Sequence, residues 1–226
     1  MLRILSVALI TAAMVMLADV GLTLAWKEPM STIYGSIQQG RAADELAELE
    51  RTFRPRVAEL DQARHSRTDR GKADGERTAK EVRSLAGLFE QEVGTGGAIG
   101  RIEIPGIDLD TVFVEGTDTG TLRKGPGRYP DTAFPGQGRT IGIAGHRTTY
   151  LAPFRRINEI ADGAEIVLEM PYATFTYEVQ KHEIVEPSRV AIVRDVGYER
   201  LVLTACHPVY SADRRYAVFA KLIDVS

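Results

Sequence analysis

The chain of 226 residues holds one cysteine, Cys206, at the end of the apolar run "LVLTAC", with Arg214 and Arg215 following within the same segment. A histidine, His146, closes a second apolar run, "TIGIAGH". A thiol of ordinary pKa, about 8.5, is only a few per cent thiolate at neutral pH, so a reacting one needs a base or a positive charge beside it. Histidine carries protons near neutrality, and arginine offers a permanent fork of donors to a developing oxyanion. Brought together, the three suit acyl transfer through a thioester. Each also has a plainer reading. A lone Cys packs as a small hydrophobe, a His after Gly145 serves a turn, and the two arginines form a solvated pair opening a strand. Metal binding by His146, Cys206 and His207 is the weakest reading, because adjacent Cys and His seldom both ligate one tetrahedral ion and no fourth ligand is evident.

These residues stand at the ends of apolar runs, where a scaffold holds reactive groups at a solvent-facing rim. The short loop "HPVYSAD" predicts a hairpin, whose antiparallel strands lie about 4.8 Å apart and bring a guanidinium to the thiol's side of the sheet. Alternation sends Arg214 and Arg215 to opposite faces without saying which one meets Cys206. From Gly96 onward, "IGRIEIPGIDLDTVFVEGTD", "TIGIAGH", "EIVLEM", "TFTYEVQKHEIV", "LVLTAC" and "YAVFAKLIDV" are short β-rich runs with Gly, Pro and Asp punctuation. Such a series predicts an all-β domain, a closed barrel or a sandwich, with one helical turn in "LAPFRRINEI".

The first 95 residues differ in texture. Ile4–Trp26 is apolar except for Asp19 and long enough for a bilayer, which takes about 20 apolar residues. Arg3 and the amino terminus hold its front end inside by the positive-inside rule, which places the rest of the chain outside. A cleaved signal peptide would have a shorter apolar core and a small-residue cleavage site, which "LTLAW" is not. Residues 41–93 are rich in charge of both signs, with Leu46, Leu49, Phe53, Val57 and Leu60 at helical spacing. Pro55 is expected to kink or end that helix. Asp61–Lys80 has almost no apolar residues and is expected to stay solvated. The expectation is a charged helical or disordered spacer, with an ordinary helical hairpin as the alternative. A single Cys excludes an intrachain disulfide framework and a Cys-rich zinc module. A net charge of -3 without a basic stripe gives no nucleic-acid footprint.

"GHRTTYLAPFRRINEI" and "LTACHPVYSADRRYAVFAKL" resemble the signature segments of sortases, the membrane-anchored cysteine transpeptidases of Gram-positive bacteria. "LRKGPGRYPDTAFPGQGRTIGIAGH" resembles the stretch before that family's histidine, and "CHP" after the thiol is similar to class E sortases of actinobacteria, with classes D and F as neighbours. The resemblance implies an eight-stranded sortase-type β-barrel over 96–226, after a cytoplasmic stub (1–3), a transmembrane anchor (4–26) and the spacer (27–95). It implies Cys206 as nucleophile, His146 as general acid/base and, from the family's spacing after its cysteine, Arg215 as the arginine. Thr204, Ala205, Tyr150 and Val190 are expected to contact substrate, with "EPSRVAIVRDVGYER" shaping the groove. The chain departs from the family in having Ala205 before Cys206 where Thr is usual, and Val202 where Thr is frequent. The implied reaction cuts an LPXTG or LAXTG sorting signal on secreted proteins between Thr and Gly. It then passes the acyl group to a peptidoglycan precursor or a pilin lysine, at the outer face of the cell membrane. No cofactor or metal is implied.

Overall fold

The β-branched and aromatic runs between Gly, Pro and Asp form strands, as their fit to a pleated surface favours. A computed structural model describes residues 2–26, 29–65 and 71–226. Strands β1 (Ala98–Ile104), β2 (Leu109–Glu115), β3 (Gly127–Arg128), β4 (Thr140–Ala144), β5 (Glu165–Met170), β6 (Ala173–Val185), β7 (Arg200–His207) and β8 (Arg214–Val225) close a barrel in the order β1-β2-β3-β4-β7-β8-β6-β5. Only the two-residue β3 has no counterpart among the apolar runs. Its place is fixed by chemistry instead: Arg128, buried, donates to both carboxylate oxygens of Glu115 at 2.7 and 2.6 Å. The β2–β3 and β4–β7 pairings are parallel and the others antiparallel. The helical turn expected in "LAPFRRINEI" is a single 3-10 turn at Ile157–Glu159.

Alternation decides what each strand gives to the interior. On β4 and β7 the inward set is Ile141, Ile143, Leu201, Leu203 and Ala205, all in the main core. The outward set of β7 and β8 includes Val202, Ala217 and Phe219, which form a smaller cluster with Ile192 and Val193 from the β6–β7 connection. The barrel therefore has a filled interior and a second apolar patch on the outer face of β7 and β8.

The region expected to be a spacer is, where described, helical and packed on the barrel. Helix α1 spans Leu2–Trp26, α2 spans Pro29–His65 and α3 spans Gly71–Glu92. From α2, Ala42 and Leu46 pack against Ala98 and Val112. Gln39 adds a polar clamp. Its Nε2 donates to the carbonyls of Val112 and Lys124 at 2.9 and 2.6 Å, and its Oε1 accepts from Val112 N and Thr111 Oγ1 at 2.9 and 2.7 Å. The rings of Phe53 and Phe89 meet edge to face at 5.3 Å, and Phe89 reaches Phe134 at 5.7 Å. A few large apolar side chains on one stripe, with charges on the rest, are enough to dock a polar helix. Pro55 lies exposed inside α2 rather than ending it, between Phe53 and Val57, whose packing against the main core holds the helix on both sides. Most side chains of Asp61–Lys80 lie outside the described residues.

The expected anchor is also helical, as α1, and Ile4, Leu5, Val7, Leu9, Ile10 and Met14 are exposed along it. Among the described residues, no helix is long and apolar enough to cross a membrane.

Because Phe89 is fully buried among Phe53, Phe134 and Tyr172, Phe89→Ala is expected to lower stability by about 3–5 kcal/mol in denaturant titration. A chain starting at Gly96 should unfold at lower denaturant than one starting at Ser31, since it loses both phenylalanines. Equal midpoints would show that α2 and α3 contribute nothing to the barrel.

Candidate active site

Two strand pairings bring the three reactive residue types together. The antiparallel register sets Cys206 directly opposite Arg215 and His207 opposite Arg214. Directly opposed residues share a face, with Cβ atoms about 4.5–5.5 Å apart. Cys206 thus lies on the outer face with Arg215, continuing the line of Val202 and Thr204. Arg214 goes to the other face, where its Nη2 is 3.6 Å from Glu186. On the other side of β7, the parallel register pairs Ala144 with Thr204, and Gly145 N donates to Thr204 O at 3.0 Å. His146 and Cys206 are the residues that follow these partners by one and two places, so both emerge at the same barrel rim. His207 faces away from Cys206 by alternation, which separates the three groups of the metal reading. Among the described residues, no cluster of three His, Cys, Asp or Glu side chains has metal-holding geometry.

Cys206 is half-buried and Arg215 is held by its own hairpin. Arg215 Nη1 donates to the carbonyls of Ala212 and Arg214 at 2.9 and 3.0 Å, which fixes the guanidinium at the loop end. The His146 ring lies 5.3 Å from the Tyr150 ring, and its Nε2 is buried with no hydrogen-bond partner among the described residues. Burial lowers the imidazole's pKa below the ordinary 6.5, and the positive charge of Arg123 lowers it further. Such a histidine stays neutral and able to accept a proton at neutral pH.

The remaining expected residues fall in different places. Tyr150 is at the site, beside His146, with the Arg123 guanidinium 5.5 Å from its ring centre. Thr204 lies on the outer face but is buried, its Oγ1 2.8 Å from the hydroxyl of Tyr129. Ala205 was expected at the groove; alternation points its side chain into the barrel core instead. Val190 is exposed at 68%, and its neighbours Ile192 and Val193 are the ones that pack on the outer patch of β7 and β8. A turn of Val190–Val193 cannot present all its side chains to the barrel, and Val190 is the one it leaves to solvent.

Two contributors went unread. Tyr34, from the start of α2, meets Tyr150 edge to face at 6.1 Å. The loop there is left-handed at Tyr150, Leu151 and Ala152 (φ 49, 66 and 45°), and Gly35 packs so closely that an added Cβ would lie 2.9 Å from Leu151 Cγ. A cavity of about 240 Å³ lies between them, lined by Ser31, Thr148, Tyr150, Leu151 and Arg155. No periodicity marks such a contact. Arg147, beside His146, is nearly fully buried, which nothing in its position along the sequence marks.

A filled β-barrel with a thiol, an imidazole and a guanidinium at one rim belongs to the class of cysteine transpeptidases. The sortase domain profile matches residues 102–223, more than half of the chain, and the chain belongs to the sortase family. It is 36% identical over 155 residues to Sortase D of Bacillus subtilis (strain 168), covering 67% of this chain and 76% of that one. A solved Sortase D5 transpeptidase of Clostridium perfringens superposes with a TM-score of 0.57 at 28% identity, over 62% of this chain and 88% of that one. Sortase E1 of Streptomyces coelicolor, solved with a tripeptide in the active site, gives 0.56 at 28% identity, over 57% and 90%. The resemblance to class E thus stands beside a resemblance to sortase D proteins.

His146 is expected to titrate below 6.5 by NMR of its ring. Arg123→Met removes a like charge and uncovers Tyr150, and both changes favour the imidazolium, so the midpoint should move up. A midpoint that stays put or falls would separate Arg123 from the site.

Proposed function

We propose that this sortase cuts an LPXTG- or LAXTG-type sorting signal between Thr and Gly and transfers the acyl group to an amine of a cell-wall precursor or a pilin. Cys206 gives its thiol proton to His146 as Sγ attacks the Thr carbonyl carbon, and the Thr–Gly C–N bond breaks as His146 passes that proton to the leaving Gly amine. The incoming amine then attacks the thioester and loses a proton to His146, and the C–S bond breaks as Cys206 Sγ takes that proton back to return the thiol. The same group acts as acid and then as base, as microscopic reversibility requires. Arg215 holds the scissile carbonyl and the oxyanion formed in each half-reaction. The reading is carried by the register that opposes Cys206 to Arg215 on one face while β4 delivers His146 to the same rim. The buried cluster of Val202, Ala217 and Phe219 under Ile192 and Val193 fixes the β6–β7 connection against the sheet face that carries the thiol. The tripeptide held in the active site of Streptomyces coelicolor Sortase E1 is consistent with a peptide substrate.

The enzyme works from an anchor over Ile4–Trp26 with residues 96–226 outside the cell. The exposed apolar side chains along α1 support this, since an aqueous surface would not favour them. Ser31 already lies beside the Tyr150 loop, and only four residues separate it from Trp26, at most about 18 Å of chain. The anchored site therefore stays near the bilayer surface, where secreted substrates and lipid-linked acceptors emerge.

Incubating the protein with LPXTG and LAXTG peptides and an amine should yield the amide product by mass, and hydrolysis alone would reduce the reading to a cysteine peptidase. Cys206→Ala should abolish turnover and leave the fold intact. Arg215→Ala should lower kcat by about 100- to 1,000-fold, the scale for losing an oxyanion donor, and Arg214→Ala far less. The reverse ranking would overturn the role given to Arg215.

A further inference from the structure

Arg147 is a buried cation that none of the steps above uses. It is 4% exposed, and its guanidinium is divided among four partners. Nη1 donates to the carbonyl of Cys206 at 3.2 Å and lies 3.0 Å from His207 Nδ1. Nη2 donates to Asn158 Oδ1, and Nε points to the carbonyl of Arg155 at 3.4 Å. Because arginine can only donate, His207 Nδ1 is the acceptor in that contact.

The place of these bonds in the sheet gives them meaning. The last backbone rung between β4 and β7 is Gly145 N to Thr204 O. In a parallel ladder the next bond of that kind would run from the nitrogen of residue 147 to the carbonyl of residue 206. The chain instead turns away after Ala144, and His146 O accepts from Phe154 N at 3.0 Å. The Arg147 side chain supplies the missing donor to Cys206 O.

We propose that Arg147 is a positioning residue whose guanidinium extends the β4–β7 ladder by one rung and holds the backbone of Cys206 in register with that of His146. The inference rests on the reading of Cys206 and His146 as the reacting pair. Arg147 is the residue next to His146 in sequence and binds the carbonyl of Cys206, so one side chain ties together both backbones that carry reacting groups. It lies 5.8 Å from the ring of Tyr216, on the face opposite the Cys206 and Arg215 side chains. It therefore acts on the pair from behind and leaves the outer patch untouched. Proton transfer needs heavy atoms within about 2.6–3.2 Å, and a displacement of about 1 Å can cost about 100-fold in rate. Lysine cannot replace the fork, since one ammonium cannot meet the oxygens of Cys206, Asn158 and Arg155 together.

The test is steady-state transfer from a sorting-signal peptide to an amine by the full chain in detergent. Arg147→Met, Arg147→Lys, Asn158→Ala and the Arg147→Met/Asn158→Ala double variant are compared, with thermal unfolding of each. Arg147→Met should lower kcat by about 100-fold with KM within about twofold. Arg147→Lys should keep the unfolding midpoint closer to the parent and still lose at least about tenfold in kcat. Asn158→Ala should lose less, and should add little in the double variant because both changes disable one device. A folded Arg147→Met or Arg147→Lys protein with parental kcat would overturn the proposal, as would a loss expressed mainly in KM. If Arg147→Met does not fold, the lysine and Asn158 variants decide by the same criteria. Turnover persisting in Cys206→Ala would instead remove the reacting pair, a different result from any of these.

Discussion

Strand β7 is bonded along both edges, parallel to β4 and antiparallel to β8, and its register is the constraint from which the site follows. A slip of one residue in a strand sends every side chain to the other face. Here that slip would take Leu201 and Leu203 out of the main core and turn Thr204 and Cys206 inward. It would also bury the threonine hydroxyl away from its partner Tyr129. No reactive group has to hold Cys206 at the surface. The hydrophobic core does so, because the residues between its apolar neighbours can only face outward.

The same reasoning carries from the thiol to the imidazole, with a different source of control. His146 sits beyond the end of β4, where the ladder no longer fixes it, and its surroundings come from far along the chain. Tyr150 lies against its ring, Arg123 lies over Tyr150, and Tyr34 from α2 meets the far edge of that tyrosine. Burial by this stack is the main reason its proton affinity is reduced. The helix that looked like a spacer thus helps shape the electrostatics of the site, through a tyrosine held by the packing of Gly35 against a left-handed loop.

What the sequence made legible was local. The β7–β8 hairpin could be read because seven loop residues join two runs, and its register sets Arg215, not Arg214, opposite Cys206. The β4–β7 pairing is parallel and non-local, so no turn announces it, and only the likeness of "TIGIAGH" to sortase segments connected His146 to Cys206. The two-residue β3 has too little apolar surface to read as a strand and depends on a buried Arg128–Glu115 pair. Ala205 was placed in the groove by its position next to the nucleophile, yet neighbours in a strand face opposite ways. Helical spacing through Phe53 was legible in α2, but the docking of α2 and α3 on the barrel was not, because Phe53 and Phe89 are diluted among charges while carrying much of the contact.

Arg147 shows why such residues escape a reading by residue type. A charge in a loop ordinarily stays in water, and burying one is unfavourable unless each donor finds an acceptor. The acceptors here are backbone carbonyls and an amide oxygen left without strand partners where β4 turns away, together with His207. None of these can be seen until the ladder is drawn. The point at which the sheet runs out of backbone donors is also the point at which the reacting residues leave it. A side chain that finishes the ladder there satisfies an orphaned carbonyl and sets the distance between two chains in one step. The demands of folding and of catalysis coincide at that rung, because a barrel rim needs its last carbonyl paired and an acyl-transfer site needs its nucleophile still.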